Sequence, residues 1–294
     1  MEDGLYALRI LGQQLRLAGF NPVQPGRLTA SPSNEPLRNP APWGTSTLPI
    51  FACSSGFANA ENTATFTGIS ISALTCSTTN TTSHAIAVTY EADIYNTEPT
   101  AAPALPTDCT GSSLPMQTTM TVPGRPHNYY YVENRFYVKN NSLFCTGNGG
   151  GTVYAPPTQP LIANIEQLNF QFGVMMPTTT NIITIPVGYL DAAQIGSSSG
   201  VDATANVNLQ TYDATNRWDK ISTVVICVLM RSNREILADP APTMAAMLRR
   251  ESSCRQIALH GAPLSVPLTC ATAADRVSYA KQHFSPSLQA PSLS

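Results

Sequence analysis

The sequence predicts an α+β fold in which one N-terminal amphipathic helix packs on an antiparallel β-sheet with long loops. Three observations predict it. The opening stretch "LYALRILGQQLRLAGFNP" repeats apolar residues at helical spacing. Several later stretches alternate apolar and polar residues with the period of a strand. The segments between them are rich in Pro, Thr, Ser and Gly, residues that favour turns over continued secondary structure. On this reading residues 3–20 are helix, 21–50 an extended Pro-rich connection and 51–294 a β-rich head. No internal repeat and no clear linker divides that head in two.

Leu5, Leu8, Leu11, Leu15 and Ala18 recur at spacings of three and four, which puts them on one stripe of a helix. That stripe is expected to pack against the sheet. Arg16 lies in the last turn, where a cation suits the negative end of the helix dipole. Gly19 follows as a C-terminal cap and Pro22 limits continuation. At about 1.5 Å per residue a helix from Asp3 to Ala18 is about 24 Å long. Asp3 could cap its start, although only Met1 and Glu2 precede it.

In "SHAIAVTYEADIY", Ile86, Val88 and Tyr90 share one face of a strand. A Pro-, Thr- and Ser-rich loop is expected from about residue 97 to 126. "YYYVENRFYVKNNSLFCTG" reads as a hairpin, because Asn140-Asn141 tolerate the positive φ of a two-residue turn. Such a turn pairs Val138 with Leu143 and Phe136 with Cys145, keeping the apolar faces together. Tyr130 is expected inward, with Tyr129 and Tyr131 outward as ordinary strand residues or as an adhesive aromatic surface.

Leu168, Phe170, Phe172 and Val174 alternate with Gln167, Asn169 and Gln171, as in a half-buried strand. "NIITIPV" is a short strand candidate in a loop-like region. "RWDKISTVVICVLMRSN" is apolar on both parities and reads as a central strand covered on both faces, one cover being the opening helix. "PTMAAMLRRE" has helical spacing, and residues 276–284 are a candidate last strand.

Composition narrows the function. The 294-residue chain has 12% charged residues and a net charge of −2. Its 16 Lys and Arg are scattered apart from Arg249-Arg250, so direct nucleic-acid binding is not expected. The balance suits a surface-exposed β protein. Seven cysteines without a CxxC pair disfavour a zinc ribbon or a thioredoxin-type site and suggest structural disulfides in an oxidising compartment. Cys254–Cys270 is the first pairing to expect, and Cys227 inside "VVICVLM" reads as a buried free thiol. No run of about 18 apolar residues spans a membrane, and no secretory signal precedes the helix.

No catalytic motif stands out, and no catalytic or cofactor-binding residue is assigned. His84, His127, His260 and His283 fall in no nucleophile or metal pattern, and His84 is expected to be structural at a strand end. "GNGGG", Gly147 to Gly151, lacks the following Lys-Ser/Thr of a phosphate cradle and reads as a flexible loop. Asp191, Asp202, Asp213 and Asp219 cluster loosely. Asp202, Asp213 and Asp219 are weak calcium candidates, without EF-hand spacing.

Four strings in order resemble the PilW family of type IV pilus assembly proteins, which are minor pilins. They are "GLYALRILGQQLRLAGF", "AIAVTYEAD", "NRFYVKNNSLFCTGNGG" running on to "QPLIANIEQLNFQFGV", and "RWDKISTVVICVLMRS". The resemblance spans most of the chain. It implies a pilin-like fold, in which the C-terminal half of a long helix packs on an antiparallel sheet. It further implies a structural role in initiating pilus assembly near the tip, with other minor pilins and the major pilin as partners. Motility, adhesion and DNA uptake would follow indirectly. Family members carry a prepilin cleavage site and an apolar half-helix that anchors them in the inner membrane before assembly. Those features are expected upstream of Met1, lost through an engineered truncation or a misassigned start. The alternatives are a type II secretion pseudopilin and an adhesin or ligand-binding head at a pilus tip.

Overall fold

The structure, a computed structural model, describes residues 2–20, 48–61, 71, 74–79, 83–122, 125–150, 159–174, 188–196, 201–202, 207–208, 217–218, 221–236 and 247–258. Helix α1 runs Glu2–Leu17. Strands β1 (Ile50–Cys53), β2 (Ala85–Ala92), β3 (Met116–Val122), β4 (Arg125–Lys139), β5 (Ser142–Gly147) and β6 (Ile162–Ala163) form one antiparallel sheet. Its order is β1-β2-β4-β5-β6, and β3 also pairs with β4. A second antiparallel sheet has the order β12-β11-β7-β8, from β7 (Ile165–Val174), β8 (Gly188–Leu190), β11 (Ile221–Ile236) and β12 (Met247–Ala258). The short helix α2 (Ala192–Gly196) and the small pair β9 (Val201–Asp202) and β10 (Val207–Asn208) lie between β8 and β11 in the chain. The described chain is therefore mostly β, in two main sheets and one two-stranded pair where one sheet was expected.

The inner stripe of α1 seats the helix. Ala7, Leu8, Leu11, Leu15 and Ala18 are buried and share one core with β2, β4, β7 and β11. Leu5 departs from expectation: it is 59% exposed. The reason is angular. Gly4 and Gly12 also face the sheet, where a side chain would meet Met230 and Ile257 respectively; a Cβ on Gly12 would lie 3.0 Å from Ile257 Cδ1. The contact stripe is thus centred on Gly4, Leu8, Leu11 and Leu15, and Leu5 turns to the outer side. The helix ends as the sequence predicts. Gly19 takes φ 70°, a conformation natural to glycine. Its N–H donates to Thr89 O at 2.8 Å, and Phe20 O accepts from Glu91 N at 2.8 Å. The chain leaving the helix is thereby bound along the edge of β2.

The predicted hairpin forms in the predicted register. Asn140 and Asn141 have φ of 51° and 54°, and Val138 faces Leu143 as Phe136 faces Cys145. β11 is central, between β12 and β7. One of its faces, with Val224, Ile226 and Val228, is fully buried, whereas Val225, Cys227 and Leu229 on the other are only half-buried. The expected cover on both faces is therefore incomplete.

Other expectations change. Residues 247–251 of "PTMAAMLRRE" are the start of β12, because pairing with β11 overrides local helix propensity. The loop expected over residues 97–126 contains β3 and leads into β4. Tyr129 and Tyr131 are buried and Tyr130 is half-buried, the reverse of the expected alternation. Tyr129 and Tyr131 share the strand face of Arg135 and Tyr137, and farther along that face is covered by the chain after β1. That chain folds over the back of the first sheet, where Ala60 and Phe57 pack with Ala85, Tyr137 and Phe144. "NIITIPV" and residues 276–284 lie outside the described residues.

Two disulfides fasten this sheet, Cys53–Cys76 and Cys109–Cys145. Cys227 is also disulfide-bonded, correcting its reading as a free thiol. Cys254 stands directly opposite Cys227 in the strand register; Cys270 lies outside the described residues. No helix among the described residues is long and apolar enough to cross a membrane.

Candidate functional site

The outer side of α1 and the loop of residues 93–111 enclose a groove of about 850 Å³. Helical geometry places Tyr6, Ile10, Gln13 and Leu17 along one wall, since they share the helix side opposite to the buried stripe. Tyr95 and Glu98 stand on the other wall. Tyr6 is 56% exposed and Tyr95 90%, so aromatic rings border the groove on both sides.

The loop wall is built by side-chain bonds to its own backbone. Asp93 Oδ1 accepts from Tyr95 N (2.7 Å) and Asn96 N (2.8 Å), while Asp93 N donates to Asn96 Oδ1 at 2.8 Å. Thr97 Oγ1 donates to Asp93 O at 2.7 Å. Short polar side chains stabilise a turn in this way. The turn holds Ile94 and Tyr95 out in solvent.

The far end of the loop is held by Asp108. Its Oδ1 accepts from Thr110 N (2.8 Å), Thr110 Oγ1 (2.6 Å) and Ser112 N (3.1 Å), and its Oδ2 from Gly149 N (2.8 Å). This accounts for part of "GNGGG". Side chains on Gly147 or Gly149 would collide with the Asp108 carboxylate, so the glycines form its seat. Between them Asn148 continues the edge of β4, its Oδ1 accepting from Glu133 N and its Nδ2 donating to Tyr131 O.

The floor joins helix, sheet and loop through a polar chain. Gln14 Oε1 accepts from Tyr90 OH (3.2 Å) and Asn134 Nδ2 (2.8 Å). Asn134 Oδ1 accepts from Cys109 N at 3.0 Å. Burial holds the Tyr90 hydroxyl well above the ordinary tyrosine range, so it remains a donor. Behind Asn134, on the same strand, Glu133 and Arg135 form a fully buried ion pair of 2.7 Å, and Arg135 also donates to Ala60 O. Burial pushes the Glu133 carboxyl up, against the opposing pull of Arg135.

This arrangement offers amides, hydroxyls and apolar edges suited to holding another surface. Leu8, Leu11, Leu15 and Ala18 lie beneath it in the core, while Leu5 is exposed on the helix. Asp191 caps α2, its Oδ1 accepting from Gln194 N at 2.7 Å. Asp202 falls in β9, and Asp213 and Asp219 lie outside the described residues. Among the described residues no group of three His, Cys, Asp or Glu is placed to hold a metal. His84 sits at a strand end, as expected; His260 and His283 lie outside the described residues. Sequence reasoning missed Gln14, Tyr95, Asp108 and Asn134. One signal was available: Glu133-Asn134-Arg135 interrupts an otherwise apolar strand with three polar residues.

Comparison with known proteins bears on the later motifs, from the hairpin to β11. Residues 129–258 match the family model of type IV pilus-assembly protein W. A type IV-like pilin from Thermus thermophilus aligns over 88% of this chain and 95% of its own, with a TM-score of 0.33 and 8% identity. No curated protein matches the chain. The match to type IV pilus-assembly protein W spans most of β4 and all of β5 through β12.

Proposed function

We propose that the protein is a structural minor pilin that takes part in initiating type IV pilus assembly, near the pilus tip. The observation that carries this reading is the two-sided helix. One side of α1 is sealed against the sheets, while Leu5 is left 59% exposed and Tyr6, 56% exposed, lines a groove walled by a hydrogen-bonded turn. Exposed apolar residues next to a preorganised aromatic are what a subunit contact needs, because little further ordering accompanies association. The work is association with other minor pilins and the major pilin. The site is the inner membrane and periplasm before assembly and the surface pilus afterwards. Support for motility, adhesion and DNA uptake is indirect.

The test is site-specific photocrosslinking from position 6 and position 95 in cells, with Leu5→Asp/Tyr6→Asp as the companion variant. Adducts with other pilin subunits, and loss of surface pili in the double variant, are expected. Unchanged piliation in a folded double variant would overturn the reading. Adducts confined to secretion-system subunits would favour a pseudopilin instead.

A further inference from the structure

We propose that His84 is a pH-sensitive latch between the two sheets, engaged near neutral pH and released in acid. The latch stands on the outer edge of β7. One edge of β7 is bound along its length by β11, and β8 covers the other edge only from Phe172 to Val174. The gap at Leu168 and Phe170 is closed by the two residues before β2, a strand of the other sheet. His84 N donates to Leu168 O at 2.9 Å, and Leu168 N donates to Ser83 Oγ at 3.0 Å. Phe170 N donates to His84 Nδ1 at 3.1 Å. Two of these three bonds use a side chain where a strand would use its backbone.

The Nδ1 contact works only while that nitrogen has no proton, since a protonated imidazole has no acceptor. Proton uptake there sets two N–H groups against each other and strands the amide of Phe170, a buried residue, at a sheet edge. Among the described residues, Asp191 is the one charged group that acts on the ring. It favours the imidazolium, so it supplies the competing partner toward which a protonated ring is drawn. Burial outweighs it and lowers the His84 pKa below 6.5. The sign follows directly. A histidine lowered in the folded state contributes stability that is present above the unfolded value and lost as pH falls below about 6.5 toward the folded value.

Amide exchange of Phe170, corrected for its intrinsic pH dependence, tests the latch between pH 7.5 and pH 5. Protection in the wild type should fall by up to roughly tenfold for each pH unit between about 6.5 and the lower, folded His84 pKa. In His84→Asn, whose Oδ1 can stand near the position of Nδ1 and does not titrate, protection should stay level. In Asp191→Asn the loss should continue to lower pH. Level protection in the wild type would overturn the proposal, as would an equal acid loss in His84→Asn. Should His84→Asn not fold, a loss that ends at the same pH in Asp191→Asn would overturn it as well.

Discussion

The two sheets are held by different means. In the first, β2 is buried along its whole length and most of β4 is covered on both faces, because the chain after β1 folds over its back. Polar residues buried in and beside this sheet are tied to one another or to backbone: Arg135 to Glu133 and Ala60 on the back, Asn134 to Gln14 and Cys109 on the helix side, Asp108 to Gly149. Two disulfides add covalent ties. The second sheet alternates instead. Leu168, Phe170, Phe172 and Val174 point into the core, with the side chains between them half-buried or exposed, and α1 lies on β11 and β12. A sheet covered on both faces must satisfy polar groups internally, whereas a sheet open on one face leaves them to water.

Three substitutions would break or sharpen this contrast. Arg135→Leu should cost the most, roughly 3–5 kcal/mol at neutral pH, because it leaves the Glu133 carboxylate buried and unpaired. Denaturant midpoints should show that cost shrinking as pH falls, since protonation of Glu133 removes the stranded charge. Adding Glu133→Leu should recover much of the loss; no recovery would mean that packing around Ala60 dominates. Leu11→Ala tests the other sheet. A fully buried leucine over β11 and β12 should cost roughly 2–5 kcal/mol through lost transfer energy and a cavity. That loss should not depend on pH, and a strong dependence would erase the distinction between the sheets. The smallest effect is expected from Asp108→Asn, about 1–2 kcal/mol, from weakening one of several charge-assisted bonds. It should loosen residues 108–112 while the β4–β5 pairing persists, which amide exchange at Ser112 and Gly149 would report.

Legibility in the sequence followed the range of the interactions. The hairpin register was readable because Asn140 and Asn141 specify their own turn and the period-2 pattern specifies the pairing on either side. Gly19 was readable as a cap for the same local reason. Leu5 was misplaced because spacing gives the width of an apolar stripe, while its centre depends on where Gly4 and Gly12 let the helix approach Met230 and Ile257. Tyr129 and Tyr131 were misplaced because the strand face that they share with Arg135 and Tyr137 is buried, which spacing alone does not show. The groove was unreadable as a unit. Gln14 and Asn134 are 120 positions apart and meet only through the fold.

By itself, then, the sequence determined the local elements: the helix and its end, the central strand, the Asn-Asn hairpin and the order of motifs that resembles PilW. Each rests on period, turn chemistry or capping, which act over a few residues. Only the tertiary structure decided that there are two main sheets, that the back of the first is covered, that Cys227 is bonded and that residues 247–251 are strand. Each of these depends on which distant surface arrives as a partner, and pairing and burial against that surface outweigh the weak local preference of the chain.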